Sequence, residues 1–142
     1  MVQAVLGRRS YPFLYVGRDG YNRGMKVKIY EYEGCSTCRK ALKFLDARGI
    51  AYQRVPIVET PPAPAELKAM LAYAGDLRRL FNTSGQLYRE LGVGEKLKTM
   101  SQADALALLA KHGKLVKRPF VLLKDRGLLG FKEDEWAKAF SL

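Results

Sequence analysis

Met25-Lys-Val-Lys-Ile-Tyr-Glu-Tyr-Glu-Gly-Cys35-Ser-Thr-Cys38-Arg-Lys-Ala-Leu-Lys-Phe-Leu-Asp46 decides the fold. Its first part, Met25 to Tyr32, carries Val27, Ile29, Tyr30 and Tyr32, residue types that suit a pleated, half-buried strand. From Arg39 to Asp46, Ala41, Leu42, Phe44 and Leu45 fall on one face of a helix, and Gly49 ends it. Between strand and helix stand both cysteines of the chain, spaced Cys-x-x-Cys. A cysteine at a strand-to-helix turn sits where unpaired backbone N–H groups and the helix dipole stabilise a thiolate. Arg39 and Lys40 add positive charge nearby. A second thiol three residues on is placed to attack a mixed disulfide formed at the first.

Other uses of the motif are weighed against this one. A structural zinc site needs about four ligands, and the chain offers only Cys35, Cys38 and the single histidine, His112; no metal is expected. A purely structural disulfide would close so short a loop that little chain entropy is removed. Two inert buried thiols are the remaining alternative, and the strand–turn–helix context favours the reactive pair.

Outward from the motif, Ile50-Ala-Tyr-Gln-Arg-Val55 reads as a second strand, parallel to the first through a right-handed crossover. Pro56 and Pro61-Pro62-Ala63-Pro64 mark a loop. A helical middle follows: Ala65 to Ala74 closed by Gly75, a short helix over Asp76–Phe81, a turn at Asn82-Thr-Ser-Gly85 and a helical turn near Tyr88. Ser101 caps a further helix that ends near Gly113, with Asp104 three residues on as a capping-box variant. Pro119-Phe-Val-Leu-Leu123 and Leu128-Leu-Gly-Phe131 flank Lys124-Asp-Arg-Gly127 as a hairpin. A last helix, Glu133 to Phe140, docks through Trp136 and Phe140. The order is β-α-β, a helical insertion, then β-β-α: an α/β, thioredoxin-like fold with helices inserted between its two halves.

The 142 residues suffice for one domain with a proper core, and the hydrophobic share of 48% and charged share of 27% are those of a globular protein. No apolar run reaches the roughly 20 residues of a membrane span, so no membrane association is expected, and a reactive thiol pair fits a reducing cytoplasm. The net charge of +11 favours anionic partners. The basic residues are spread along the chain, so direct nucleic-acid binding is not expected, and a monomer is. Residues 1–24 combine Arg8, Arg9, Arg18 and Arg23 with Gly7, Gly17, Gly20, Gly24 and Pro12. They read as a flexible extension, with Tyr11–Val16 as a possible edge strand and Met25 as the natural start of a domain over 25–142.

The Cys-Ser-Thr-Cys-Arg-Lys turn, the Pro-Pro loop, Leu80-Phe-Asn-Thr-Ser-Gly-Gln-Leu-Tyr-Arg-Glu90, Lys117-Arg-Pro119 and Gly130-Phe-Lys-Glu-Asp-Glu-Trp136 occur in that order. Together they resemble the arsenate reductase (ArsC) family of glutaredoxin-coupled type, in its Spx/MgsR-like branch, over about residues 25–140. The resemblance implies that Cys35 is the catalytic nucleophile and Arg118 the arginine that binds an oxyanion and holds the cysteine as thiolate. It also implies that Pro119 is the cis proline beside the active site. Two further oxyanion arginines of that family are replaced here, at Asn82 and around Gly130-Phe131. Losing two charge-assisted contacts weakens arsenate binding, leaving Lys117, Arg39 and Asn82 as auxiliary anion contacts. Cys38 stands where such reductases carry serine, which makes an internal Cys35–Cys38 redox-active disulfide the expectation.

No bound cofactor is expected. Glutathione with glutaredoxin, or thioredoxin, is the expected electron donor, and a small oxyanion or a disulfide the substrate. The resemblance thus implies a thiol-redox protein working through the Cys35–Cys38 couple, an arsenate reductase-like oxidoreductase, and as an alternative an Spx-like redox-sensing transcriptional regulator that binds the C-terminal domain of the RNA polymerase α subunit.

Overall fold

A computed structural model describes residues 27–140. The expected extension over 1–24, its edge strand and the start at Met25 lie outside the described residues. β1 (Val27–Glu31), α1 (Ser36–Ala47) and β2 (Tyr52–Pro56) form the first half. The insertion comprises α2 (Pro64–Ala74), a 3-10 turn at Leu77–Leu80, α3 (Gln86–Glu90), α4 (Val93–Lys96), α5 (Gln102–Lys111) and a second 3-10 turn at Gly113–Leu115. β3 (Phe120–Leu122), β4 (Gly127–Leu129) and α6 (Glu133–Ala139) close the chain.

The strands lie in the order β2-β1-β3-β4. β1 pairs parallel to β2, with Val27 opposite Tyr52, and antiparallel to β3, with Tyr30 opposite Phe120. β3 and β4 form the antiparallel hairpin. This is the thioredoxin-like arrangement that the element order predicts. Strand alternation divides β1 between two cores. Val27 and Ile29 pack with Ala41, Phe44 and Leu45 of α1 and with Trp136 and Phe140 at the end of the chain. Tyr30 points the other way, among Leu67, Met70, Leu109 and Phe120. Each such fully buried side chain contributes on the order of 1.5–3 kcal/mol, so the insertion is anchored as firmly as α1.

Several boundaries shift by a few residues from the sequence reading, and three differences have a local reason. Pro64 belongs to α2, at the first helical position, where its missing N–H costs nothing. Gly127 lies in β4, not in the turn, because α2 covers that edge so closely that a Cβ there would strike the Met70 sulfur. α4 was not anticipated: Val93-Gly-Glu-Lys96 has neither periodicity nor a side-chain cap, and it turns because Gly92 adopts a left-handed φ of 63° and Val93 is fully buried.

Candidate active site

Cys35 is the N-cap of α1. Its backbone is extended (φ −100°, ψ 116°), and its Sγ accepts the N–H of Cys38 at 3.2 Å, the task usually given to Ser, Thr or Asp. Its own N–H donates to the Tyr32 carbonyl at 3.0 Å, closing the turn after β1. A Cβ at Gly34 would come within 3.1 Å of the Tyr32 ring, so the ring would have to give by a few tenths of an ångström to admit one. The sulfur therefore sits in the field of the first turn of a helix 12 residues long.

Both cysteines are free thiols, Cys35 half-buried and Cys38 fully buried. Burial, reinforced by the Cys35 sulfur and the nearby charge of Glu31, pushes the Cys38 thiol up from 9.0 to about 12. Cys38 is therefore a neutral thiol near pH 7, held behind the half-buried Cys35.

Arg118 and Pro119 are joined by a cis peptide bond at the entry to β3. The Arg118 guanidinium donates through Nη1 to the Lys114 carbonyl at 3.2 Å, and its carbon lies 4.8 Å from the centre of the Tyr32 ring. Its Nε is buried with no hydrogen-bond partner, an arrangement that costs on the order of 1–3 kcal/mol unless an anion answers it.

Cys35, Asn82, Lys117 and Arg118 line one cavity of about 350 Å³. Thr37, Ser84, Leu129, Gly130, Phe131 and Lys132 complete its wall. A neighbouring cavity of about 300 Å³ shares Asn82 and Arg118 and extends along Tyr32, Gln86, Glu90 and Lys114. Arg39 is not in the wall: it is exposed, and its Nη1 donates to the Glu33 carbonyl at 3.2 Å. Cys38 lies behind Cys35 and does not line the cavity either.

Sequence reasoning missed Lys132 and Tyr32. Lys132 adds a cation on the side of the cavity where Gly130 and Phe131 carry no charge. Gly130 itself has a structural duty: at φ 75° it donates to the Pro119 carbonyl at 3.0 Å and accepts the Trp136 indole N–H at 3.1 Å. It thereby ties the hairpin exit to α6. The left-handed φ was hinted at by the glycine; the position of Lys132 after it was not. Among the described residues no cluster of histidine, cysteine and carboxylates is arranged to hold a metal ion.

The fold and site together define a thioredoxin-like protein with a helix-capping cysteine in the wall of a basic cavity that the arginine of the cis Arg118–Pro119 bond also lines. A family model described as the ArsC family matches residues 30–139, and the chain belongs to that family. It is 45% identical over 113 residues to the uncharacterised protein YusI of Bacillus subtilis (strain 168), covering 79% of this chain and 96% of that one. An arsenate reductase of Neisseria meningitidis (serogroup A, strain Z2491) is 33% identical, over 74% of this chain and 90% of its own length. The global transcriptional regulator Spx of Streptococcus pyogenes (serotype M3, strain MGAS315) is 27% identical, over 77% and 81%. The crystal structure of an ArsC-family-related protein from Bacteroides fragilis superposes with a TM-score of 0.75 at 45% identity, covering 80% of this chain and 97% of that one. No helix among the described residues is long and apolar enough to cross a membrane.

Proposed function

We propose that this ArsC-family chain is a thiol–disulfide redox protein in which Cys35 is the nucleophile and Cys38 the resolving thiol. Arg118, with Lys117 and Asn82, holds the anionic part of the substrate. The observation that carries this reading is the Cys35 sulfur itself, which caps α1, faces the basic cavity and has a second thiol one helical turn behind it. In the first step the Cys35 thiolate attacks a substrate disulfide, forming Cys35–S–S–R and releasing the other half as a thiolate. Cys38 then loses its proton and attacks the Cys35 sulfur, closing the Cys35–Cys38 disulfide and expelling the second thiolate. The substrate gains two electrons and the dithiol loses two. Thioredoxin, or glutathione with glutaredoxin, would return the protein to the dithiol. Arg39, outside the cavity wall, has no part in this scheme.

Equilibration in thiol redox buffers with trapping of free thiols tests the couple. A reversible disulfide between roughly −200 and −300 mV, absent in Cys35→Ser and Cys38→Ser, is expected of a cytosolic exchanger. Failure to form that disulfide would reduce the site to a single-cysteine reductase built on Cys35 and Arg118.

The likeness to Spx favours a second reading, a regulator for which the same couple is an oxidation switch and the RNA polymerase α subunit the partner. Co-purification with the α subunit's C-terminal domain separates the two readings. No complex with either the oxidised or the reduced protein would discard the regulator.

A further inference from the structure

Two features of the Cys35 cavity ask for different things of a ligand. The sulfur in its wall is a soft nucleophile, which reacts with another sulfur. The rest of the wall is built for an oxyanion. Lys117, Arg118 and Lys132 all line it, and none of its lining residues is a carboxylate. Among the described residues no carboxylate pairs with any of the three. They come from both ends of the hairpin: Lys117 and Arg118 precede β3, and Lys132 follows β4. Gly130 lets these ends approach, since a Cβ there would lie 3.3 Å from Lys117 Cε. Thr37, Ser84 and Asn82 add hydroxyl and amide donors, and the buried Arg118 Nε has no hydrogen-bond partner among the described residues.

An anionic disulfide uses little of this. The charge that develops in its reaction falls on a leaving sulfur, not on oxygen. Three cations with hydroxyl and amide donors fit a group of several oxygens whose negative charge grows as its bond to sulfur breaks. The group that joins such an oxyanion directly to an electrophilic sulfur is the S-sulfonate, R–S–SO₃⁻. The neighbouring cavity, which shares Asn82 and Arg118, carries Glu90 in its wall, with Oε2 2.6 Å from Gln86 Nε2. A carboxylate there repels the sulfonate and suits an ammonium on the organic half, so the two cavities orient the molecule.

We propose that the site reduces S-sulfonated thiols, with the sulfonate held by Lys117, Arg118 and Lys132 and the organic half in the cavity of Glu90. The Cys35 thiolate attacks the sulfur that bears R. The Cys35–S–S–R bond forms, the bond from that sulfur to the sulfonate breaks, and its electron pair leaves on sulfite. Cys38 then gives up its proton to water, attacks the Cys35 sulfur and expels RS⁻, which takes up a proton. In sum the dithiol supplies two electrons and two protons, and R–S–SO₃⁻ becomes RSH and hydrogen sulfite. The donor proposed above, thioredoxin or glutathione with glutaredoxin, then reduces the Cys35–Cys38 disulfide.

The proposal rests on the dithiol reading, and one experiment separates their failures. Reduced full-length protein is mixed with S-sulfocysteine, and released sulfite and released cysteine are measured separately. Cystine, with the same organic half and no sulfonate, runs in parallel. Sulfite reports the first step, cysteine the closure by Cys38. Equal amounts of both are expected, with S-sulfocysteine reacting at least about tenfold faster than cystine. Cys38→Ser should release sulfite alone. Lys132 is exposed, so Lys132→Gln should fold. It should slow sulfite release at least about fivefold and lower the ratio of the two rates. Sulfite without cysteine from wild type overturns the dithiol reading and leaves the sulfonate site standing on Cys35 alone. Cystine closing the disulfide while S-sulfocysteine reacts no faster, or not at all, overturns the sulfonate site and leaves the couple standing. An unchanged ratio in both Lys132→Gln and Lys117→Gln overturns it too. No reaction with either compound overturns both.

Discussion

The Arg118 guanidinium stacks on the ring of Tyr32, its carbon 4.8 Å from the ring centre, and Lys114 Nζ approaches the same ring at 5.9 Å. Tyr32 also accepts the Cys35 N–H through its carbonyl. One residue therefore fixes both the nucleophile and the cation beside it. A guanidinium is the group for such a seat, because it is planar, permanently charged and able to stack and donate at once.

Tyr32→Leu is therefore expected to weaken the site as a partial loss of Arg118 would. A cation–aromatic contact contributes about 0.5–2 kcal/mol, so attack by Cys35 on an anionic disulfide should slow by about 2- to 30-fold. Attack on a neutral one, such as dithiodipyridine, should change little, and Tyr32→Phe should resemble wild type with both. Arg118→Ala should give the same selective loss, only larger. Equal slowing with both reagents in Tyr32→Leu would show that the turn, not the cation, had been damaged.

The buried Cys38 thiol makes a separate prediction about stability. Folding raises it from 9.0 to about 12, so the folded state holds the proton more tightly than the unfolded chain does. The stability this confers is fully present below pH 9 and is lost as pH rises through the interval up to about 12. Thermal unfolding of reduced wild type should therefore decline more steeply across that interval than unfolding of Cys38→Ala, since lysines and tyrosines titrate alike in both. Parallel declines would mean that the thiol titrates in the folded protein as it does in the unfolded one.

The first half of the fold and the nucleophile's place were legible because their signals are local. Val27, Ile29 and Tyr30 announce a strand, Ala41 to Leu45 a helix, and the cysteines stand between. Trp136 and Phe140 could likewise be placed in the core from their spacing alone. The cavity wall was only partly legible. Lys117 and Arg118 stand in a motif, but Lys132 and Ser84 reach the cavity because the insertion and the hairpin fold back beside α1, a relation between segments distant in sequence. Arg39 shows the converse. Its neighbourhood to Cys35 in the chain implied a share in the site, yet helical geometry turns it outward to the Glu33 carbonyl.

Gly113 is a position where a single methyl group should be poorly tolerated. A Cβ there would collide with the carbonyl oxygen of Ile57 and crowd the Cα of Val58, so the 3-10 turn lies directly on the backbone that leaves β2. Backbone cannot rotate aside as a side-chain end can. Gly113→Ala is expected to cost at least about 1–3 kcal/mol, the range for overpacked interiors, read as a lower denaturant midpoint with an unchanged slope. The same substitution at Gly94, where the nearest atom is the Tyr88 hydroxyl at 3.4 Å, should be close to neutral. Similar midpoints for the two variants would contradict this packing.

The clamp between β1 and α2 should reveal itself in acid. Tyr30 donates its hydroxyl to Glu66 Oε1 at 2.6 Å, while Lys28 Nζ lies 2.8 Å from Oε2 and the Ala63 N–H donates to Oε1 at 2.9 Å. Burial alone would raise the Glu66 carboxyl, but the hydrogen bonds from Lys28, Tyr30 and Ala63 outweigh it and hold the group below 4.5. Its contribution is therefore present above the unfolded value and disappears as pH falls through the folded one. Tyr30→Phe removes one of these donors and keeps the ring packed edge-on against Phe120, at 5.6 Å between centres. It should lower stability by about 1 kcal/mol near pH 7. The gap to wild type should narrow as pH falls below 4.5 and the carboxyl takes up its proton in either protein. A gap that stays constant from neutral pH into acid would mean that the tyrosine hydroxyl does not sense the charge on Glu66.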